Sequence, residues 1–231
     1  MKKKSTKLQL LLMLVGMFAF TALKAQTVSG TGNLYCLGST VKIGAAHDAA
    51  AASYIWKRYD GQGTTGTATT ITGQNTEDLT DVPTLPGYYT YVSSSVNSNG
   101  CESAPSDPIT IYILPGITAS ITSTYGSNSI CATVLPAAGT LTAVPGKAQT
   151  VTETFANTDY TYQWYKGGTL IPGATSITYS LTAADIAAAA ANVAYTVKIN
   201  YAAHACTEVE SSPVNFDVIA LPNKPVISVT P

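Results

Sequence analysis

Apolar residues recur at every second position through much of the chain. Val41 and Ile43, the series Ile109, Ile111 and Ile113, Leu141 with Ala143, the series Tyr195, Val197 and Ile199, and the series Val214, Phe216 and Val218 alternate with Thr, Lys, Asn or Asp. A period of two is that of a strand with one face buried and the other wet, so these runs predict β-strands. Asp60-Gly61, Pro86-Gly87, Asn99-Gly100, Pro145-Gly146, Gly167-Gly168 and Pro172-Gly173 punctuate the runs as turns. The threonines between Thr64 and Thr72 suit exposed pleated faces, because a β-branched side chain with a hydroxyl packs on the sheet and still meets water. Only Ala183–Ala191 reads as helical, and it predicts a short crossover before the Tyr195 strand. Many short antiparallel strands predict an all-β fold built as two-sheet sandwiches.

The pattern occurs twice. A shift of just over one hundred residues, a whole-domain period, lays Tyr54-Ile55-Trp56-Lys57 on Tyr162-Gln163-Trp164-Tyr165 and Tyr89-Thr90-Tyr91 on Tyr195-Thr196-Val197. It also lays Cys101 on Cys206, Pro105 on Pro213, and Leu114-Pro115-Gly116 on Leu221-Pro222-Asn223. Two homologous units, at about 27–114 and 115–221, are the economical reading. The tail 222–231 echoes the opening of the second unit, Pro115-Gly116-Ile117-Thr118-Ala119-Ser120-Ile121, and reads as a linker and the start of a truncated third repeat.

Residues 1–25 stand apart. Lys2, Lys3, Lys4 and Lys7 precede an apolar run from Leu8 to Phe20, and Ala22-Leu23-Lys24-Ala25 closes it, which is the order of an export signal with cleavage after Ala25. The run is shorter than the ~20 residues a membrane span needs, so the mature product is expected to be exported, secreted or held at the cell surface, and not to span a membrane. Five of the twelve basic residues lie in this segment, which leaves seven facing thirteen acidic ones, with Arg58 the single arginine. A nucleic-acid binder needs clustered Lys and Arg to neutralise phosphates, so that partner class is excluded.

The order Cys, Trp, Gly-x-Tyr-x-aromatic, Cys resembles immunoglobulin-like domains. The stretch Tyr160–Thr175 (YTYQWYKGGTLIPGAT) looks like the third strand and hairpin of the bacterial immunoglobulin-like and PKD-like repeats of secreted, gliding-motility-associated or adhesin-like surface proteins. The resemblance implies two tandem immunoglobulin-like sandwiches after the signal peptide. It makes Trp56 and Trp164 core tryptophans and Tyr89 the corner tyrosine, tied by its hydroxyl to the preceding turn. Tyr195 fits that role less well, because Asn192-Val193-Ala194 replaces the glycine turn.

The cysteines depart from the antibody pattern, since Tyr91 and Val197 stand where the second cysteine of the pair belongs. Export and one early plus one late cysteine per unit favour Cys36 with Cys101 and Cys131 with Cys206, among the three connectivities that four cysteines allow.

Catalytic chemistry finds little support, and the chain is read as non-enzymatic with no cofactor. His47 and His204 have no nucleophile or orienting partner at a suggestive spacing. The short paired Cys and His spacings of zinc sites are absent. Glu77, Asp78 and Asp81 read as a solvated acidic loop ahead of the Tyr89 strand, offering fewer oxygens than the six or so that calcium takes. Among the fourteen tyrosines, Tyr59 and Tyr165 are the exposed candidates for contact with a surface glycan or protein ligand. The expectation is a spacer or adhesion module of a larger secreted protein, with a carbohydrate-binding accessory region or the N-terminal stalk of a secreted hydrolase as alternatives.

Overall fold

The computed structural model describes residues 33–125, 129–131, 139–182, 185, 193–219 and 222–225. The segment 1–25 read as an export signal, the Ala183–Ala191 segment except Asp185, the Cys131 side chain and the end of the tail lie outside the described residues.

The strands form two sets that meet between Leu114 and Ile117. The first set comprises β1 (Leu34–Cys36), β2 (Val41–Gly44), β3 (Ala51–Asp60), β4 (Thr69–Ile71), β5 (Asp78–Asp81), β6 (Gly87–Asn97) and β7 (Ile109–Leu114). One sheet has the order β1-β7-β6-β3-β4 and the other pairs β2 with β5. Val41 and Leu79 from the small sheet pack against Trp56, Tyr89, Tyr91, Ile111 and Ile113 from the large one, making a sandwich core.

The second set comprises β8 (Ile117–Ser123), β9 (Ser129–Cys131), β10 (Gly139–Lys147), β11 (Tyr160–Lys166), β12 (Thr169–Leu170), β13 (Thr178–Leu181), β14 (Val193–Tyr201), β15 (Val209–Glu210) and β16 (Val214–Ile219). Its sheets run β12-β11-β14-β16-β9, with β15 beside β14, and β13-β10-β8. In both sets the first short strand lies parallel to the last, β1 on β7 and β9 on β16, and the remaining pairs are antiparallel. Third, sixth and seventh strands in one sheet facing second and fifth in the other, as in the first set, is the immunoglobulin arrangement, and β11, β14 and β16 facing β10 and β13 repeat it in the second. The fold is therefore all-β and immunoglobulin-like.

The alternation is obeyed where one face meets water and fails where both are covered. On β7, Ile111 and Ile113 point to the first core, yet Tyr112 and Leu114 are equally buried because their face meets the second sandwich. Two turn and loop expectations are corrected. Pro145-Gly146 lies inside β10, opposite Ala119 and Thr118 of β8. The β13 ladder on the other side of β10 stops at Thr142, so there the missing proline N–H faces an open edge. Asp78–Asp81 is not loop but β5, paired with β2, so that Leu79 enters the core while Asp78 and Thr80 face out.

The self-alignment also shifts by two between β6 and β14. Trp56 pairs with Ser93, and Trp164 pairs with Val197. Two places on, Arg58 opposes Tyr91 and Lys166 opposes Tyr195. The counterpart of Tyr195 is therefore Tyr91, and Val193 takes the place of Tyr89. A shift of two preserves the face, which is why alternation could not detect it.

Candidate functional site

Where the sandwiches meet, five rings from both sides pack into one cluster. Tyr88 and Tyr112 of the first set lie edge to face at 4.6 Å. Tyr112 reaches Phe155 at 6.4 Å, and Phe155 in turn contacts Tyr160 at 6.3 Å and Tyr201 at 5.5 Å. Tyr160 and Tyr201 stack at 5.4 Å. Offset and edge-to-face pairs of this kind add about 0.5–1.5 kcal/mol each beyond their area.

Polar groups inside the cluster are matched. Glu153, 8% exposed, accepts a hydrogen bond from the Tyr112 hydroxyl at 3.1 Å and one from the Thr152 hydroxyl at 3.2 Å. The Tyr201 hydroxyl donates to the Pro115 carbonyl at 2.9 Å, fastening the last residue of β14 to the connector. Gly116 N–H donates to Gln149 Oε1 at 2.7 Å and its carbonyl accepts from Ala148 N–H, also at 2.7 Å. Burial pushes the Tyr160 phenol up to about 12, and raises Tyr112 and Tyr201 further still, with the Glu153 charge adding to the rise at Tyr112.

A disulfide crosses the same junction. Cys36 at the end of β1 is bonded to Cys206 in the loop between β14 and β15, with Cα atoms 5.6 Å apart and a sequence separation of 170. Cys101 is an exposed free thiol. The pairings of Cys36 with Cys101 and Cys131 with Cys206 are thus overturned. β1 runs beside the end of β7, with Cys36 opposite Leu114, whereas Cys101 lies past the far end of β6, so the length of the sandwich separates them. Spacing along one unit carried no information about which ends would be apposed.

The remaining sequence candidates are placed as follows. Trp56 and Trp164 are buried, and each indole N–H donates to a carbonyl, of Thr76 at 3.0 Å and of Ser176 at 2.8 Å. The Tyr89 hydroxyl donates to the Leu85 carbonyl at 3.0 Å. The Tyr195 hydroxyl is buried without a hydrogen-bond partner. Tyr59 and Tyr165 are half-buried instead of exposed, and Lys198 Nζ lies 4.9 Å from the centre of the Tyr165 ring. They sit on separate sandwiches and make no common surface. Of the acidic trio, Glu77 pairs with His47 at 2.7 Å, and Asp81 accepts from Arg58 Nη1 at 3.0 Å and from the Tyr91 hydroxyl at 2.9 Å. Among the described residues no group of three or more His, Cys, Asp or Glu is placed to hold a metal ion.

Sequence reasoning missed the junction set of Tyr88, Tyr112, Glu153, Phe155, Tyr160 and Tyr201. The available signal was Tyr112, an aromatic on the nominally wet face of the Ile109–Ile113 strand. A cleft of about 410 Å³ opens beside this set, between Asp60, Gly61 and Leu85–Tyr89 on one side and Thr150–Glu153 on the other.

No family model matches the chain, and no curated protein matches it. Among solved structures it is similar to the amphioxus IgVJ-C2 molecule, at 9% identity and a TM-score of 0.41, over 80% of this chain and 99% of that one. It is also similar to a 1.5-MDa bacterial ice-binding adhesin, at 13% identity and a TM-score of 0.37, over 81% of this chain and 60% of that one. A third likeness is to the FN1–FN3 domains of chicken CNTN1, at 10% identity and a TM-score of 0.35, over 80% and 62% respectively. The immunoglobulin-like fold is carried by the strand order and not by these likenesses.

Proposed function

We propose that this chain is a non-enzymatic extracellular spacer or adhesion segment, in which units 27–114 and 115–221 are fixed end to end and hold a further part of the protein away from its base. The observation that supports this best is the Cys36–Cys206 disulfide laid over the aromatic cluster. A flexible tether between beads needs neither, whereas a strut needs a joint that resists bending. Closing a loop of this length is worth about 5 kcal/mol in the chain-entropy model. A structural disulfide also suits an oxidising compartment, in keeping with the leader read in residues 1–25 and with bacterial surface proteins as its setting.

Small-angle scattering of the mature chain tests the reading. A Cys36→Ser/Cys206→Ser variant should show a larger and broader distribution of dimensions than the oxidised protein. Identical profiles would mean that the disulfide does not govern the joint, and the strut would be lost.

The junction cleft favours a second reading, a carbohydrate-binding accessory module, because its volume lies in the range of small-ligand sites and Tyr88 and Tyr89 line it. Binding on a glycan array that survives Tyr165→Ala but is abolished by Leu85→Trp, which fills the cleft, would support it. No binding to any glycan would remove it.

A further inference from the structure

The charges around the junction cleft narrow what it can hold. Two of the residues that line it carry carboxylates, Asp60 on the first sandwich and Glu153 on the second, and no lysine, arginine or histidine is among them. Asp60 is exposed, and Arg58 Nε reaches its carboxylate at 3.1 Å. The same guanidinium is bound to Asp81 at 3.0 Å, so one cation is shared by two carboxylates and the group stays net negative.

Glu153 is the less usual of the two acids. A carboxylate taken out of water normally keeps a cation beside it, because the lost solvation must be replaced. Glu153 is buried, yet among the described residues its carboxylate takes part in no ion pair. One oxygen accepts from the Tyr112 hydroxyl and the other from the Thr152 hydroxyl, both neutral donors. Lys147 comes close, but its ammonium donates to the Glu153 main-chain carbonyl at 2.7 Å and does not line the cleft. Burial raises the phenol of Tyr88, on the opposite wall, and the Glu153 charge raises it further. A carboxylate has about four acceptor positions, so each oxygen keeps the capacity to take a further donor.

We propose that the cleft binds a saccharide carrying a protonated amine, with the ammonium directed to Glu153 and Asp60 and one face of the sugar ring against Leu85 and Tyr88. The inference rests on the accessory-module reading and specifies its ligand. Leu85 is 66% exposed and Tyr88 half-buried, so both offer apolar surface to the C–H groups of a ring. Tyr89 is less available, since Arg58 already lies 5.1 Å from its ring centre. A charge-assisted hydrogen bond from an ammonium is roughly twice as strong as a neutral one, and it supplies the cation that Glu153 lacks. A neutral sugar gains the ring contact alone. Uronic acids and sulfated or phosphorylated glycans find no cation on the cleft wall and meet two carboxylates, so the site rejects them.

The test is calorimetric titration of the disulfide-intact chain with three oligosaccharides, of glucosamine, of N-acetylglucosamine with the same linkage, and of glucuronic acid. The glucosamine oligomer should bind on the order of tenfold tighter than its acetylated counterpart, weaken as salt is raised, and lose that advantage in Asp60→Asn and in Glu153→Gln. Denaturation midpoints show whether each variant is folded, and Asp60→Asn, at an exposed position, keeps the test decisive should Glu153→Gln fail to fold. Equal affinity for the amine and acetylated forms, tighter binding of the uronic acid, or an amine preference retained in Asp60→Asn or in folded Glu153→Gln would overturn the proposal while leaving the accessory-module reading in place. Binding that survives Leu85→Trp would move the saccharide out of the cleft and overturn it as well. No binding to any of the three, nor to any glycan on the array, would remove the reading and the proposal together.

Discussion

Tyr91 and Tyr195 hold the same position in the two sandwiches and live in different chemistry. Counting five residues on from the carbonyl that receives the indole N–H leads to Asp81 in one and Leu181 in the other. Asp81 accepts from the Tyr91 hydroxyl and from Arg58, so the first sandwich has a closed polar triad at the edge of its core. Leu181 is fully buried and accepts nothing, which leaves the Tyr195 hydroxyl without a partner among the rings of Tyr179 and Phe216. The strand plan is shared while the polar contacts differ. The first core is closed on itself, whereas the second continues through Phe155 and Tyr201 into Tyr112 and Leu114 of its neighbour.

Alkali should separate the two most sharply. Burial raises the phenols of Tyr112, Tyr160, Tyr195 and Tyr201, all in the second cluster, while the first core holds Tyr91 and Tyr89. In each case the neutral form is the one the fold keeps. Stability is therefore fully present below the unfolded value near pH 10 and is lost as pH climbs through the raised folded values. Trp56→Phe and Trp164→Phe leave one indole each as a fluorescent reporter. The indole of the second sandwich should report unfolding first, together with a single step of phenolate absorbance. Gradual ionisation near pH 10 with both indoles unchanged would contradict the burial argument.

Next in size is removal of an indole. Trp164→Ala should cost about 3–5 kcal/mol in chemical denaturation, and Trp56→Ala a similar amount. The difference lies in reach. Because Trp164 shares a cluster with the junction residues, its loss should also speed amide exchange at Tyr112, while Trp56→Ala should raise exchange mainly within β3 to β6. Equal exchange at Tyr112 in both variants would show that the junction packs independently of the second core.

Much of the fold could be read before any coordinates. Alternation at Ile109–Ile113 and Tyr195–Ile199 located strands, and the two tryptophans located the two cores, because strand parity and indole burial are local properties. Register by two and the apposition of the two sandwiches were not legible. A slip of two keeps every side chain on its face, so Tyr195 could be laid on Tyr89 or Tyr91 with equal right. The Cys36–Cys206 bond depends on where one sandwich ends against another, and neither cysteine's neighbours in sequence carry that information. Asp78–Asp81 misled because two carboxylates in a short strand, Asp78 on the wet face and Asp81 at the edge of the core, look like a loop when the buried residue between them, Leu79, is overlooked.

Tyr112→Phe probes the junction at a smaller scale. It removes one of the two donors to the buried Glu153 carboxylate and leaves the ring packing in place. A loss of about 1–3 kcal/mol is expected, the cost of a buried acceptor left short of a partner. Denaturation of Tyr112→Phe in the Cys36→Ser/Cys206→Ser background should show the same loss, since the hydrogen bond and the disulfide touch different residues. A loss that vanishes in that background would mean that the disulfide alone brings Tyr112 and Glu153 together.

The smallest effects test the comparison most directly. Tyr91→Phe removes a hydrogen bond to Asp81, which still has Arg58, so the cost should be about 1 kcal/mol. Tyr195→Phe removes a hydroxyl that is buried and bonded to nothing, so stability should be unchanged or slightly higher, because the desolvation penalty of the hydroxyl goes with it. The two substitutions are chemically identical at equivalent positions, and burial of the two rings is nearly the same, so the difference in ΔΔG isolates what Asp81 contributes and Leu181 does not. Equal costs would mean that Tyr195 has found an acceptor after all, and that Asp81 against Leu181 does not explain how the two sandwiches differ.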